Sequence, residues 1–158
     1  MNKGMIAMIA AAFGAVVGAT ASGKISQDTL EETKKLSDKH LALYLMMNQW
    51  VKLKQEGKSL SRYFEKKGYQ NIAIYGMNYV GVTLLDELKN TNTHVAYAID
   101  KKADEISAGV KVVSLEDSLE NVDVVVVTAV FFFENIKRQL GRKVDCPIIS
   151  LEEIIFSL

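Results

Sequence analysis

The chain has a single cysteine, only two histidines and no net charge. One cysteine, Cys146, excludes an internal disulfide and accords with a reducing compartment. Its setting, Asp145-Cys146-Pro147, carries nothing that would lower a thiol pKa, so it reads as a small apolar residue opening a strand rather than as a nucleophile. Nineteen basic residues balance nineteen acidic ones, which removes the broad positive footprint that nucleic-acid binding requires. No His, Cys or carboxylate stands at metal spacing beside His40, so no metal site is expected. A chain of 158 residues with 49% hydrophobic and 24% charged residues is one ordinary globular domain with an additional segment.

The domain announces itself between residues 71 and 100. An apolar strand (Ile72, Ala73, Ile74, Tyr75) runs into the turn Gly76-Met77-Asn78-Tyr79-Val80-Gly81. A helix to about Asn90 follows, then a second strand from His94 to Ile99 that ends on Asp100. That order is a nucleotide-binding βαβ opening. Gly76 permits the sharp exit from the strand, Gly81 permits close packing of helix on sheet, and the helix start directs free N–H groups at a phosphate. Asp100, 24 residues after Gly76, stands where a carboxylate accepts hydrogen bonds from a ribose diol. Asn78 occupies the place of the fingerprint's second glycine and brings a Cβ and an amide into the space a pyrophosphate would approach.

The remainder alternates. Residues 110–113 predict a third strand, 114–119 a short capped helical turn, 122–130 an apolar strand buried on both faces, 133–140 a helix and 148–150 a fifth strand. Ser150-x-x-Glu153 reads as a capping box for a last helical turn. Five strands joined by right-handed crossovers predict an α/β fold: a small Rossmann-like, doubly wound parallel sheet in the order 3-2-1-4-5. Ligands of such sheets lie at the carboxyl ends of the strands where the order reverses. The expected cofactor-binding residues are therefore Gly76, Met77, Asn78, Tyr79, Val80, Gly81, Asp100, Thr128 and Ala129. Thr128 reads equally well as a strand-end hydroxyl bonded to a neighbouring peptide.

Two segments precede the sheet. Residues 4–22 (GMIAMIAAAFGAVVGATAS) carry no charge and are bracketed by Lys3 and Lys24; as a helix of about 28 Å they match a bilayer's hydrocarbon core. The expectation is a single-pass inner-membrane anchor with the globular domain cytoplasmic. The alternative is a signal peptide cleaved after Ala19-Thr20-Ala21, with export. Gly14 and Gly18 form a Gly-x-x-x-Gly pair suited to helix association. Ser26 or Asp28 can cap a second, amphipathic helix running to Glu56, where Gly57 ends it. Leu36, Leu43 and Trp50 recur along it every seven residues, with His40 and Met47 between them, forming a stripe for the main domain or for self-association. Ser59 then caps a short helix over residues 60–67. The expected organisation is an anchor over 1–25, a helical stalk over 26–68 and the nucleotide fold over 69–158.

Residues 72–81 (IAIYGMNYVG), Tyr97-Ala98-Ile99-Asp100, residues 109–116 (GVKVVSLE) and 122–128 together resemble the Rossmann-like nucleotide-binding domain of bacterial capsule and surface-polysaccharide enzymes. That domain fronts membrane-bound nucleotide-sugar epimerases and dehydratases, and a similar one precedes sugar acyltransferases. The resemblance covers about residues 50–158. It implies a ligand of the NAD or nucleoside-diphosphate-sugar kind, in membrane-associated glycan assembly.

Catalysis is not supported by the residues. The Tyr-x-x-x-Lys pair of an epimerase-like reductase has two matches in spacing, Tyr63…Lys67 and Tyr97…Lys101. The first precedes the nucleotide fold, and the second lies along a strand where its members stand roughly 13 Å apart. Only eight residues follow the fifth strand, too few for a substrate domain. No catalytic residue is assigned. Two functions stand open: a membrane-anchored nucleotide or nucleotide-sugar binding module serving a separate polysaccharide enzyme, and a ligand-free oligomeric scaffold on a degenerate Rossmann-like fold.

Overall fold

The structure, a computed structural model, describes the backbone from Lys3 onward and the side chains from Gln27 onward, Asp28 excepted. The side chains of the apolar run at residues 4–22, the Gly14/Gly18 pair included, lie outside the described residues. Among the described residues no helix is long and apolar enough to cross a membrane. The chain divides into two compact units, Met1–Tyr44 and Leu45–Leu158. The first unit is the main length of helix α1 (Lys3–Gln55). Leu36 in it is 54% exposed, so the apolar stripe expected from Leu36 to Trp50 is not buried along its whole length. In the second unit the buried face of α1 is instead Met46, Trp50 and Leu53, spaced four and three residues apart.

The second unit continues with α2 (Ser61–Lys67), β1 (Asn71–Tyr75), α3 (Tyr79–Leu88), β2 (His94–Ile99), β3 (Val112–Val113), β4 (Val124–Val127), α4 (Phe133–Leu140), β5 (Ile148–Ser150) and α5 (Leu151–Phe156). All five strands pair in parallel in the order β3-β2-β1-β4-β5. This is the predicted order, and it makes the protein a mixed α/β chain around an all-parallel sheet. Ala73, Tyr75, Tyr97, Ile99, Val113, Val125 and Val127 line one face, where Ile136 and Leu140 of α4 pack. Ile72, Ile74, Ala98, Val124 and Val126 alternate with them onto the other face, and α3 lies against β1 and β2. Val124-Val125-Val126-Val127 is fully buried because both sides of this interior strand are covered.

Several boundaries differ from the sequence expectation. The third strand is two residues long, β4 stops at Val127, and residues 114–119 form turns without a helix. Leu60, not Ser59, holds the N-cap of α2, although the Ser59 hydroxyl still accepts the Ser61 N–H at 3.3 Å. At α5, Ser150 Oγ accepts the Glu152 N–H at 3.3 Å, so the cap forms one residue earlier than the box spacing predicts.

Two carboxylates fasten the unit. Asp123 Oδ2 accepts the N–H groups of Gln70 and Asn71, both at 2.7 Å, and joins the entries of β1 and β4. These two bonds hold its carboxyl below the usual carboxylate pKa. Glu87 on α3, its side chain 6% exposed, accepts from Trp50 Nε1, from Lys54 Nζ at 3.0 Å, from the Leu60 N–H at 2.8 Å and from Ser59 Oγ at 3.3 Å. One buried carboxylate thus gathers α1, the start of α2 and α3.

Candidate functional site

The switch point of the sheet lies between β1 and β4, and the segments leaving the carboxyl ends of β1, β2 and β4 border one cleft of about 410 Å³. The β1 exit requires both of its glycines. Gly76 has φ of 96°, and a Cβ there would meet Thr128 Oγ1 at 2.8 Å. A Cβ on Gly81 would stand 3.0 Å from the Gly76 carbonyl carbon and closer still to its oxygen. The glycine spacing therefore serves a tight fit of the α3 start over the strand exit, as the sequence predicts.

The hydrogen bonds of the turn depart from the expectation of free N–H groups. Asn78 is the N-cap of α3, and its Oδ1 accepts the N–H of Val80 at 3.0 Å and of Gly81 at 3.3 Å. Asp100 Oδ2 accepts the Met77 N–H at 2.8 Å, while Oδ1 accepts the Lys102 N–H at 3.0 Å. Each Asp100 oxygen keeps a lone pair for a further donor. The Thr128 hydroxyl is buried and donates to the Gly76 carbonyl at 2.7 Å, with the Tyr75 carbonyl at 3.1 Å. It supports the turn from beneath, the peptide-bonded role that its strand-end position also allowed.

Of the nine residues expected at the site, the structure brings Gly76, Asn78, Asp100 and Ala129 to the cleft wall. Met77, Val80, Gly81 and Thr128 are buried behind it, and Tyr79 points to solvent at 94% exposure. The remaining wall was missed from sequence: Tyr75, Lys101, Lys102, Phe132, Asn135, Ile136 and Gln139. A signal for part of it existed. Phe132, Asn135, Ile136 and Gln139 fall three, one and three residues apart, one face running from the N-cap of α4 nearly to its end.

The wall combines aromatic and aliphatic surface (Tyr75, Phe132, Ile136) with the amides of Asn78, Asn135 and Gln139 and the carboxylate of Asp100. Burial, reinforced by the Asp100 charge, raises the Tyr75 phenol pKa, so it stays neutral at physiological pH. Lys102 pairs with Glu105 at 3.0 Å on the exposed rim.

The other sequence candidates lie elsewhere. Tyr97 OH donates to the Glu120 carbonyl at 2.8 Å and is buried in the core, away from the cleft. Lys67 Nζ stands 6.0 Å from the Tyr63 ring centroid, a cation–π placement, and neither residue borders the cleft. Cys146 lines a separate hollow with Leu119, Glu120 and Lys143, and burial pushes its thiol pKa up, which keeps the nucleophilic thiolate scarce. Among the described residues no group of three His, Cys, Asp or Glu is placed to hold a metal ion. Comparison with known protein families, with curated proteins and with solved structures finds no match.

Proposed function

We propose that the protein is a membrane-anchored binding module for a nucleotide-type ligand, NAD or a nucleoside-diphosphate sugar being the candidates, which serves a separate enzyme of surface-polysaccharide synthesis and is not catalytic by itself. The observation that carries this reading is the cleft at the switch point, where Asp100, Gly76, Asn78 and Ala129 meet Tyr75 and Phe132. An aromatic wall suits a base, the remaining acceptor capacity of Asp100 suits a ribose diol, and the amides offer donors and acceptors to a base edge. The uncharged run at residues 4–22 supports the anchor, and the resemblance to capsule-enzyme domains supports the glycan context.

The test is a thermal-shift panel of nucleoside monophosphates, NAD(H), NADP(H) and uridine, guanosine and cytidine diphosphate sugars. A ligand at a hundredfold over its dissociation constant stabilises by about 2.7 kcal/mol. No shift with any of them would defeat the reading. A second reading, a ligand-free oligomeric scaffold, draws on the turn's own hydrogen bonds, which satisfy Met77, Val80 and Gly81 without a ligand. It predicts an unresponsive panel and self-association of the full chain through the Gly14/Gly18 pair and the Leu36/Leu43/Trp50 stripe.

A further inference from the structure

Within the nucleotide reading, on which this inference rests, the α3 start distinguishes one kind of ligand from another. A helix start that binds phosphate leaves its first N–H groups open to an anionic oxygen. Here the N–H groups of Val80 and Gly81 both point at Asn78 Oδ1, and the Met77 N–H points at Asp100 Oδ2. The carboxamide oxygen of Asn78 occupies the place of a phosphate oxygen. A pyrophosphate laid over this turn has to rotate Asn78 away and replace both of its hydrogen bonds, and losing such a cap weakens the bound state by about fivefold. The cleft beside the turn carries no such obstruction: Tyr75, Phe132 and Ile136 offer apolar surface, and Asn135 and Gln139 offer amides. Lys101, which makes no ion pair among the described residues, and Lys102 stand on the same wall, where they can meet one phosphate.

We infer that Asn78 sets the ligand class: the cleft takes a nucleoside monophosphate in preference to ligands bridged by a pyrophosphate, and Asn78 is the residue that enforces the preference. The inference keeps the proposed nucleotide-type module and moves its preferred ligand from NAD or a nucleoside-diphosphate sugar to a nucleoside monophosphate.

Titration calorimetry on the full chain in detergent decides it. The ligands are AMP, UMP, GMP and CMP set against NAD and the uridine, guanosine and cytidine diphosphate sugars, and the proteins are the wild type, Asn78→Gly and Asn78→Asp. Glycine is an acceptable N-cap, so the first variant folds, and aspartate keeps the cap. The expected result is a wild type that binds a monophosphate at least as tightly as its diphosphate counterpart. In Asn78→Gly the diphosphate gains about fivefold while the monophosphate changes by less than twofold; Asn78→Asp retains the wild-type preference. A wild type that binds the diphosphate ligand tenfold more tightly overturns the inference and leaves the nucleotide module standing. So does a ratio unchanged in Asn78→Gly. Failure of every nucleotide to bind all three proteins overturns the inference and the module together.

Discussion

Asp100 Oδ2 accepts the Met77 N–H at 2.8 Å, so the residue that follows β2 holds the turn that leaves β1. Met77 is buried, and removing the carboxylate strands its N–H without a partner. Asp100→Ala is expected to lower stability by about 1–3 kcal/mol in urea denaturation, and Asp100→Asn, which keeps an acceptor, by distinctly less. Equal losses would show that the bond to Met77 contributes little. The same carboxylate repels a 2′-phosphate, so NADH is expected to bind at least as tightly as NADPH. Tighter binding of NADPH would transfer the recognition to Lys101 and Lys102.

Gly81 lies so close to the Gly76 carbonyl that any Cβ forces α3 away from the strand exit. Gly81→Val is expected to cost about 2 kcal/mol or more, as overpacking does, and to abolish nucleotide binding. Denaturant midpoints and calorimetry on the same sample separate the two effects. A folded variant with unchanged affinity would place the ligand elsewhere.

Glu87→Ala leaves the Trp50 indole N–H and the Leu60 N–H without their acceptor in a nearly closed site. The expected loss is about 3 kcal/mol, with Glu87→Gln less damaging because its carbonyl still accepts. Equilibrium unfolding checks this, and a loss under about 0.5 kcal/mol would remove Glu87 from the fold's fastenings, since changes of that size are usual for surface sites.

Asp123 supplies an acid-sensitive fastening. Its carboxyl is held below its ordinary value by the Gln70 and Asn71 N–H groups, so the folded state binds a proton more weakly than the unfolded state. The contribution is complete above the unfolded value, near 3.9, and is lost as pH falls through the lower folded value. Because the side chain is exposed, the effect is small. Asp123→Asn is expected to flatten the fall in stability below about pH 4, and an unchanged acid limb would refute the assignment.

If residues 4–22 span a bilayer, the full chain sediments with membranes and resists alkaline carbonate. A chain beginning at Gln27 then stays in the supernatant with its sheet folded. A signal peptide predicts a mature protein beginning near Ser22 outside the cytoplasm, which N-terminal mass analysis detects.

The parallel sheet and its order were legible because strand period, helix period and glycine turn agree from residue 71 onward. Boundaries were less so: β3 and β4 are shorter than their apolar runs, since apolarity reports burial and not pairing. At the site, the sequence located Gly76, Asn78, Asp100 and Ala129 but assigned the turn's N–H groups to a ligand. Which oxygen meets the Val80 N–H depends on the Asn78 side-chain rotamer, and no spacing rule contains that. The Thr128–Gly76 bond likewise joins residues 52 positions apart and emerges only with the β1–β4 register.

The Glu87 fastening has a mechanical reading. Helix α3 is a rigid strut of ten residues, about 15 Å long, with the glycine turn at its front end and Glu87 one residue from its rear. The far end of that strut is clamped to Trp50 and Lys54 of the long helix. The same ten-residue helix thereby ties the turn at the β1 exit to the last turns of α1.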